Sequence, residues 1–237
     1  MIAVNTQYQP LAQIEAKRMK KAVLIFSGGM DSTTLLYDLV SQQFELYLLS
    51  FNYGQRHKIE LESAKRTAEK FVLPHKIIDL TSVNQVMEGS SLTRSHIDVP
   101  YGHYAEESMK VTIVPNRNMI MLSIATAYAV SLEAEAVYFA AHAGDHAIYP
   151  DCRQEFVDKL SEVTKIANYH PVEIRAPYLQ MDKGDIAKRG VELGVDYSMT
   201  YTCYEGKELA CGKCGACQER KEAFLKAEAL DPIKYQD

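Results

Sequence analysis

A pair of glycines between a short apolar run and a helical repeat constrains this sequence more than any other feature. Residues 22–25 are all apolar, Gly28 and Gly29 follow closely, and apolar residues then recur at helical spacing at Leu35, Leu36, Leu39 and Val40. This segment predicts a buried strand, a tight turn and a helix that begins at the turn. The first N–H groups of a helix lack partners within the helix, and the helix dipole makes that end electropositive. Glycines allow a ligand to approach the backbone closely, so the turn is a candidate phosphate site, although an ordinary tight turn has the same pattern.

Apolar runs and amphipathic stretches alternate along the rest of the chain. Strands are predicted at 21–26, 46–51, 75–80 and 136–141, and helices are predicted between them at 31–42, 57–71 and 118–132. This alternation predicts an α/β fold with a doubly wound parallel sheet and helices on both faces. Such sheets bind ligands beyond the carboxyl ends of their strands, so Phe51–Tyr53 is expected near the glycine turn. Later helices are predicted at 153–167, at 181–194 with Asp182 as N-cap, and at 218–229.

Four of the five cysteines cluster near the C-terminus, at Cys203, Cys211, Cys214 and Cys217. The last three form two overlapping C-x-x-C motifs, and four thiolates complete a tetrahedral zinc shell without an open position, which is typical of a structural site. An iron–sulfur cluster is the alternative, because this triple spacing also begins a bacterial ferredoxin motif, although the fourth ligand would then fall on Lys221. The remaining Cys152 is predicted to be a buried small residue rather than a nucleophile.

Composition and charge argue against several classes of protein. The formal net charge is −5, whereas broad binding to nucleic acid relies on a basic surface. The sequence has no apolar run long enough to span a membrane, and its N-terminus does not resemble a secretory signal. Clustered cysteines in a chain of 237 residues indicate a metal site in a reducing compartment. A cytoplasmic protein without a membrane or nucleic-acid partner is therefore expected.

Three parts are predicted along the chain. Residues 1–18 form an N-terminal extension with disorder as one reading, residues 19–195 form a nucleotide-binding α/β domain, and residues 196–237 form a C-terminal zinc-binding segment with a helix. Residues 88–112 break the alternation with a polar stretch that contains Pro100 and Gly102. A loop of this length predicts either a lid or partner-binding segment or plain disorder.

The segment Phe26–Ser32 resembles the PP-loop of the ATP pyrophosphatases, which bind the pyrophosphate of ATP and transfer AMP. No lysine follows its glycines as it does in Walker A sites. The resemblance implies a fold of the adenine-nucleotide hydrolase type with a small C-terminal zinc-binding helical subdomain. It also implies that ATP is bound by Phe26, Ser27, Gly28, Gly29, Met30, Asp31, Ser32, Thr33 and Thr34. Thr33 and Thr34 are either first-turn donors or packing residues.

Further motifs make the resemblance more specific. With the PP-loop and the cysteines, Tyr53–His57, Pro115–Asn118 and Tyr149–Arg153 resemble the 7-cyano-7-deazaguanine synthase family of queuosine biosynthesis, in order from Met19 to Lys226. The resemblance implies a ligase that uses ATP to convert 7-carboxy-7-deazaguanine and ammonia to the nitrile, through an acyl-adenylate and an amide, with release of AMP and pyrophosphate. It also implies a homodimer. A carboxylate is a poor electrophile and must be activated before ammonia can attack it. Its conversion to a nitrile is two dehydrations at one carbon, so two activations are needed.

The resemblance assigns roles to individual residues. Asp31 is a candidate Mg²⁺ ligand, with a helix-dipole role as the alternative. Arg56 and Arg117 are candidates for binding the substrate carboxylate or the α-phosphate, since guanidinium groups suit planar anions. Together with Asp31 they are the predicted catalytic residues. The predicted substrate-binding residues are Tyr53, Gln55, His57, Asn116, Asn118 and Asp151.

Two segments depart from the family pattern, and both are expected near the base pocket. Residues 142–148 differ from the usual sequence, and Tyr201-Thr202 stands where a Trp-Ser pair is usual. These two departures do not affect the residues expected to bind ATP. Which deazapurine the protein binds stays open. Two other functions stay open: a tRNA-thiolating PP-loop enzyme, which would transfer sulfur through cysteines, and a zinc-knuckle binding module without catalysis.

Overall fold

The computed structural model describes residues 19–102 and 107–236. Five parallel strands form one sheet in the order β3-β2-β1-β4-β5. They are β1 (Lys21–Ile25), β2 (Glu45–Asn52), β3 (His75–Asp79), β4 (Ala136–Tyr138) and β5 (Glu173–Arg175). The predicted parallel α/β fold is confirmed. The predicted extension at 1–18 lies outside the described residues, as do residues 103–106 of the segment 88–112.

The helices agree closely with the sequence pattern. They are α1 (Met30–Ser41), α2 (Ile59–Phe71), α3 (Arg117–Ser131), α4 (Gln154–Ile166), α5 (Lys183–Glu192) and α6 (Gly215–Lys226). Asp182 is the N-cap of α5, and its side chain accepts a hydrogen bond from the Asp185 N–H, as predicted. The last helix begins three residues before the predicted position 218, because Cys214 already acts as its N-cap. In the described part of the chain, every helix is too short or too polar to cross a bilayer.

Both faces of the sheet are covered by helices, as alternate side chains of β1 illustrate. Val23 packs into an apolar cluster with residues of α3 and α4, whereas Leu24 packs into a second cluster with residues of α1, α2 and α5. When both faces of a strand are buried, successive residues are apolar whichever face they point to. This explains the continuous apolar run at β1 in the sequence. The turns that follow the strands therefore remain as the accessible edge of the sheet.

The C-terminal segment packs onto the α/β body through α6. Met30, Ala187 and Phe224 form a shared apolar cluster between α1, α5 and α6. Arg220 is fully buried, donates two hydrogen bonds of 2.9 Å to Asp231 and bonds the Thr200 hydroxyl at 2.8 Å. A buried guanidinium is tolerated because its donors are satisfied in this way. The predicted division into parts at 195–196 stays a prediction.

The described portion of the segment 88–112 is packed against the body of the protein. Ser90, Leu92 and Met109 are buried. Arg56 donates from Nη2 to the carbonyl oxygens of Arg94 and Ile97 at 2.7 and 2.6 Å. A bridge between Tyr101 and Cys214 then attaches the segment to the cysteine cluster. Whether the segment acts as a lid or a partner-binding surface stays a prediction.

Candidate active site

A cavity of about 250 Å³ opens at the carboxyl edge of the sheet. It is lined by residues that follow β1, β2 and β4, among them Phe26, Tyr53 and Ala140. The chain leaves β1 toward β2 and later returns to β4 on the other side, and parallel sheets bind ligands at such a switch point. The predicted proximity of the Phe51–Tyr53 segment and the glycine turn is confirmed, because both line this cavity.

The glycine turn exposes the start of α1 to the cavity. Gly29 is the N-cap of α1 and has no side-chain cap, so the first backbone N–H groups of the helix are not occupied by a side chain. Ser27 Oγ accepts from the Gly29 N–H at 3.2 Å and lies 3.1 Å from Ser32 Oγ. Two hydroxyl groups and a helix N-terminus thus surround one point, which is the geometry that binds phosphate oxygens.

Gly28 faces away from the cavity and toward α2. It has a left-handed backbone with φ +82°, and a Cβ placed on it would lie 2.4 Å from the Glu60 carbonyl oxygen and 2.6 Å from the Ala64 nitrogen. Real Cβ atoms do not approach backbone atoms this closely. Glycine is therefore required at this position for the contact between the turn and α2, as well as for the backbone conformation.

The exchange Gly28→Ala is expected to lower the free energy of unfolding by about 3 kcal/mol. The left-handed backbone accounts for roughly 1 kcal/mol, and the overlap with α2 accounts for roughly 2 kcal/mol. Gly194→Ala is the matched control, because Gly194 has φ +70° but no atom within 4 Å of its Cβ position. Urea unfolding measures both changes. Equal losses in the two variants would contradict the contact with α2.

The two threonines that follow the turn point into the protein. Thr33 and Thr34 are almost completely buried and do not line the cavity. Thr34 Oγ1 bonds the Met30 carbonyl oxygen at 2.9 Å and lies 2.7 Å from the Tyr197 hydroxyl. Of the two readings given by the sequence, the structure favours packing.

A buried lysine joins α1, α5 and α6 beside the turn. Lys183 Nζ lies 3.2 Å from Asp31 Oδ2 and 2.7 Å from Glu219 Oε2, and all three side chains are largely buried. Sequence analysis missed Lys183 and Glu219. A lysine in the first turn of a helix interacts unfavourably with the helix dipole. Its presence at position 183 is the sequence feature that could have indicated a special role for Lys183. No comparable signal marks Glu219, which lies on the helix next to the cysteines.

The charges in this cluster depend on one another. Burial alone would lower the pKa of Lys183, but Asp31, Glu219 and Asp145 raise it above its ordinary value. Burial raises the pKa of Glu219, and Lys183 and His142 oppose that shift. Oδ1 of Asp31 is buried and has no hydrogen-bond partner among the described residues. This oxygen is the one available to a cation.

The opposite wall of the cavity contains an arginine between tyrosines. The Arg117 guanidinium carbon lies 5.8 Å from the centre of the Tyr53 ring and 6.0 Å from that of Tyr149. Burial alone would lower the pKa of Arg117, but these tyrosines and Asp151 raise it. Burial raises the pKa of Tyr53 to about 12, so its hydroxyl keeps its proton. Arg117 and Asn118 both line the cavity, as predicted for ligand-binding residues.

Besides Gly28, Thr33 and Thr34, four of the predicted catalytic and substrate-binding residues do not line the cavity. Arg56 is directed toward the segment 88–102, Asn116 is the exposed N-cap of α3 with φ +56°, and Asp151 Oδ2 accepts from the Asn118 N–H at 3.2 Å. Gln55 is buried, and its amide bridges Tyr53 and Phe51. Of these four, Gln55 and Asp151 contact residues that do line the cavity, namely Tyr53, Phe51 and Asn118.

His57 lines the cavity together with Glu60, which sequence analysis did not single out. The His57 ring is 6% exposed, and its Nε2 lies 3.4 Å from Glu60 Oε1. Burial lowers the pKa of His57 below its ordinary value, although Glu60 opposes the shift. Arg117 and the Cys203 sulfur also act on the ring. The imidazole is therefore neutral at neutral pH.

The two segments that depart from the family pattern also line the cavity. His142 and Asp145 contribute from the first segment, and Tyr201 and Thr202 contribute from the second. Both segments therefore lie at the same cavity as the glycine turn, and their position at a base pocket stays a prediction. Cys152 is buried beside Asn118 Nδ2, which lies 3.3 Å from its sulfur. Burial raises the pKa of Cys152, which agrees with the prediction that it is not a nucleophile.

The four clustered cysteines form a closed set of sulfurs. Their ligand atoms lie within 4.8 Å of one another, and all four residues are buried: Cys203, Cys211, Cys214 and Cys217. A tetrahedral zinc site has sulfurs about 3.8 Å apart, so one ion fits and a four-iron cluster does not. Backbone N–H groups of Cys211, Lys213 and Cys214 donate to these sulfurs at 3.2–3.4 Å, which orients them.

Hydrogen bonds among the thiols lower the pKa of Cys203 and raise that of Cys217. Four thiolates this close together repel one another unless a cation lies between them. These residues suit a structural zinc ion better than the iron–sulfur alternative.

Comparison with known proteins adds a second line of observation. The sequence model of a family described as "Queuosine biosynthesis protein QueC" matches residues 21–228. The chain is 61% identical over 216 residues to the 7-cyano-7-deazaguanine synthase of Hahella chejuensis (strain KCTC 2396), covering 91% of this chain and 93% of that protein. It is 57% identical over 218 residues to the 7-cyano-7-deazaguanine synthase of Pseudoalteromonas atlantica, covering 92% and 100%. The NMN synthetase of Francisella tularensis matches with a TM-score of 0.51 at 13% identity, covering 90% of this chain and 79% of that one, which shows the fold alone.

Proposed function

The chain belongs to the QueC family of queuosine biosynthesis proteins, and from this membership we propose that it is a 7-cyano-7-deazaguanine synthase. The observation that carries the proposal is one cavity that combines an uncapped helix N-terminus, the Asp31–Lys183 pair and Arg117. Adenylyl transfer needs a seat for pyrophosphate and cationic groups near the developing charge. The cavity offers both.

The proposed reaction has two halves at the same carbon. ATP activates the carboxylate of 7-carboxy-7-deazaguanine as an acyl-adenylate and releases pyrophosphate, and ammonia displaces AMP to give the amide. A second ATP adenylates the amide oxygen, and loss of AMP leaves the nitrile. The protein contributes mainly by holding the reactants in position and by stabilising charge.

We assign the pyrophosphate to the glycine turn and Lys183. Ser27 and Ser32 offer hydroxyl groups, the first turn of α1 offers backbone N–H donors, and Lys183 adds a positive charge beside them. Mg²⁺ would take Asp31 Oδ1, whose lack of a described partner supports this role, and when bound it would offset phosphate charge. Arg117 would bind the substrate carboxylate or the α-phosphate, and Tyr53 and Asn118 would line the base pocket.

The tRNA-thiolating alternative has less support from the cysteines. Sulfur transfer requires an accessible, low-pKa thiol. All five cysteines are buried, four of them face one another, and burial raises the pKa of the fifth, Cys152. A binding module without catalysis would not need the buried charges of Lys183, Asp31 and Glu219. The homodimer implied by the family stays a prediction.

A discontinuous assay tests the proposal. Purified protein is incubated with ATP, Mg²⁺, ammonium and 7-carboxy-7-deazaguanine, and the products are identified by mass spectrometry. We expect the nitrile, with AMP and pyrophosphate formed together and without ADP. Omitting the deazapurine acid is the control and should abolish pyrophosphate release. Formation of ADP, or transfer only to tRNA, would contradict the proposal.

A further inference from the structure

A histidine–glutamate pair lies at the start of α2, and both residues line the cavity. We propose that His57 is the general base of this enzyme and that Glu60 is the residue that orients it. The pair would remove protons from the reacting nitrogen in both halves of the reaction. This inference rests on the proposed function. The reaction requires a group that accepts protons, and the phosphate-binding residues do not supply one.

The unpaired nitrogen of His57 is the observation that carries the inference. Nε2 lies 3.4 Å from Glu60 Oε1 and 3.5 Å from the Tyr53 hydroxyl oxygen. Nε2 and the Glu60 carboxylate are in electrostatic contact rather than hydrogen-bonded, and a negative carboxylate at this distance favours the tautomer with the ring hydrogen on Nε2 and the lone pair on Nδ1. Nδ1 is buried and has no partner within residues 19–102 and 107–236. An acceptor left unpaired in a cavity wall costs stability, which a ligand proton would offset.

Glu60 is held in place by a second buried side chain. Gln55 Nε2 donates to Glu60 Oε1 and to the Phe51 carbonyl oxygen, both at 3.0 Å, and Gln55 Oε1 accepts from the Tyr53 N–H at 2.9 Å. Gln55 is only 1% exposed. The amide therefore fixes the carboxylate, and the carboxylate fixes the imidazole tautomer. Hydrolases that pair a carboxylate with a histidine use the same arrangement.

The pair lies next to the phosphate turn through direct backbone contact. A Cβ on Gly28 would overlap the Glu60 carbonyl oxygen at 2.4 Å, so the turn and residue 60 touch. The ring of His57 also faces Tyr204, with 5.8 Å between ring centres. Both His57 and Tyr204 line the cavity that contains the turn. A base is thus present at the edge of the site where the activated carbon would be held.

The proton transfers balance for both halves of the reaction. Ammonium gives one proton to Nδ1, and the freed nitrogen lone pair forms the C–N bond while the C–O bond to AMP breaks and AMP leaves with the electron pair. The nitrogen then loses a second proton to solvent, which yields the neutral amide. In the second half, the O-adenylated amide first loses one N–H proton to solvent; transfer of the remaining N–H proton to Nδ1 then accompanies cleavage of the C–O bond, AMP leaves with the electron pair and the nitrile forms. His57 returns each proton to water through the open cavity.

A phosphate-binding role for His57 is disfavoured by the same geometry. Phosphate oxygens need donors, and the tautomer that the Glu60 carboxylate favours leaves Nδ1 without a hydrogen. A lone pair on Nδ1 would repel a phosphate oxygen. The two roles predict different defects, because a phosphate ligand is needed for adenylation and a base is needed only afterward.

The experiment compares His57→Gln, Glu60→Gln and wild-type protein in two steps. Without ammonium, a burst of pyrophosphate reports adenylation of the acid. With ammonium, amide formation is followed, and hydroxylamine is then used instead, because it is unprotonated at neutral pH and needs no base to become a nucleophile. Glu62→Gln is the matched control, since Glu62 is exposed on the same helix.

We expect His57→Gln to retain the pyrophosphate burst and to lose about 100-fold or more in amide formation from ammonium. The loss with hydroxylamine should be at least about tenfold smaller. Glu60→Gln should show the same pattern to a smaller extent, and Glu62→Gln should match the wild type. Equal losses with both nucleophiles, or loss of the burst in His57→Gln, would overturn the inference. Absence of a burst in the wild-type protein would instead overturn the proposed function.

Discussion

Replacing Cys214 by serine is expected to release the zinc ion and to unfold the C-terminal segment. Cys214 is completely buried, is one of four sulfurs within 4.8 Å of one another, and is also the N-cap of α6. Structural zinc binding is coupled to folding, so losing one of four thiolates should lower the free energy of unfolding by at least about 5 kcal/mol. Elemental analysis after desalting measures the metal, and urea unfolding measures the stability.

Cys152→Ser is the matched control for this exchange. It changes the same atom in a buried cysteine that is not part of the cluster, so the protein should keep one zinc ion per chain. Iron in the purified wild-type protein, or a Cys214→Ser variant with normal metal content and stability, would contradict a structural zinc site.

Replacing Lys183 by methionine is expected to slow pyrophosphate release about 1000-fold. The ammonium group lies between Asp31 and Glu219, beside the turn to which we assign the pyrophosphate. Its removal deletes the positive charge and leaves carboxylates facing one another without a counter-ion. Because ATP binding and transfer both use this charge, the apparent affinity for ATP should fall together with the rate. Single-turnover measurement of pyrophosphate with saturating acid checks the prediction.

Two further variants separate catalysis from folding. Lys188→Met removes an exposed lysine of the same helix and should behave as the wild type. Lys183→Arg keeps the charge and should remain folded with part of the activity, although a guanidinium does not reproduce the position of an ammonium group. A folded Lys183→Met protein that releases pyrophosphate at the wild-type rate would contradict our assignment of Lys183 to the phosphate site.

The order and extent of the elements could be predicted where burial is continuous along the chain. β1 and β2 are buried on both faces, so their sequences are largely apolar, and α1 begins at the glycine turn as expected. β5 was missed because it has three residues and only Ile174 among them is buried. A strand this short at the edge of a sheet leaves no run for a pattern to detect.

The site could be predicted only in part, because sequence shows spacing along the chain and not direction in space. The glycine turn, Arg117 and the cysteines were found from local motifs. Gly28 turned out to contact α2, which begins 31 positions later at Ile59, and no motif reports such a contact. Lys183 reaches the cavity, and Glu219 reaches Lys183, because α5 and α6 pack beside α1. The role of both residues depends on tertiary packing, so local sequence patterns could not reveal it.

The convergence of α5 and α6 on Asp31 has a consequence for synthesis of the protein in the cell. Lys183, the counter-charge of Asp31, follows it by 152 positions in the chain, and Glu219, which pairs with Lys183, comes later still. Nascent chains fold from the N-terminus as they are made. A translating ribosome would therefore carry a partly folded sheet whose unpaired acidic group repels ATP, and truncated translation products would not hydrolyse nucleotide wastefully. Competence would arise only when the last helix has left the exit tunnel and its cysteines have captured their metal.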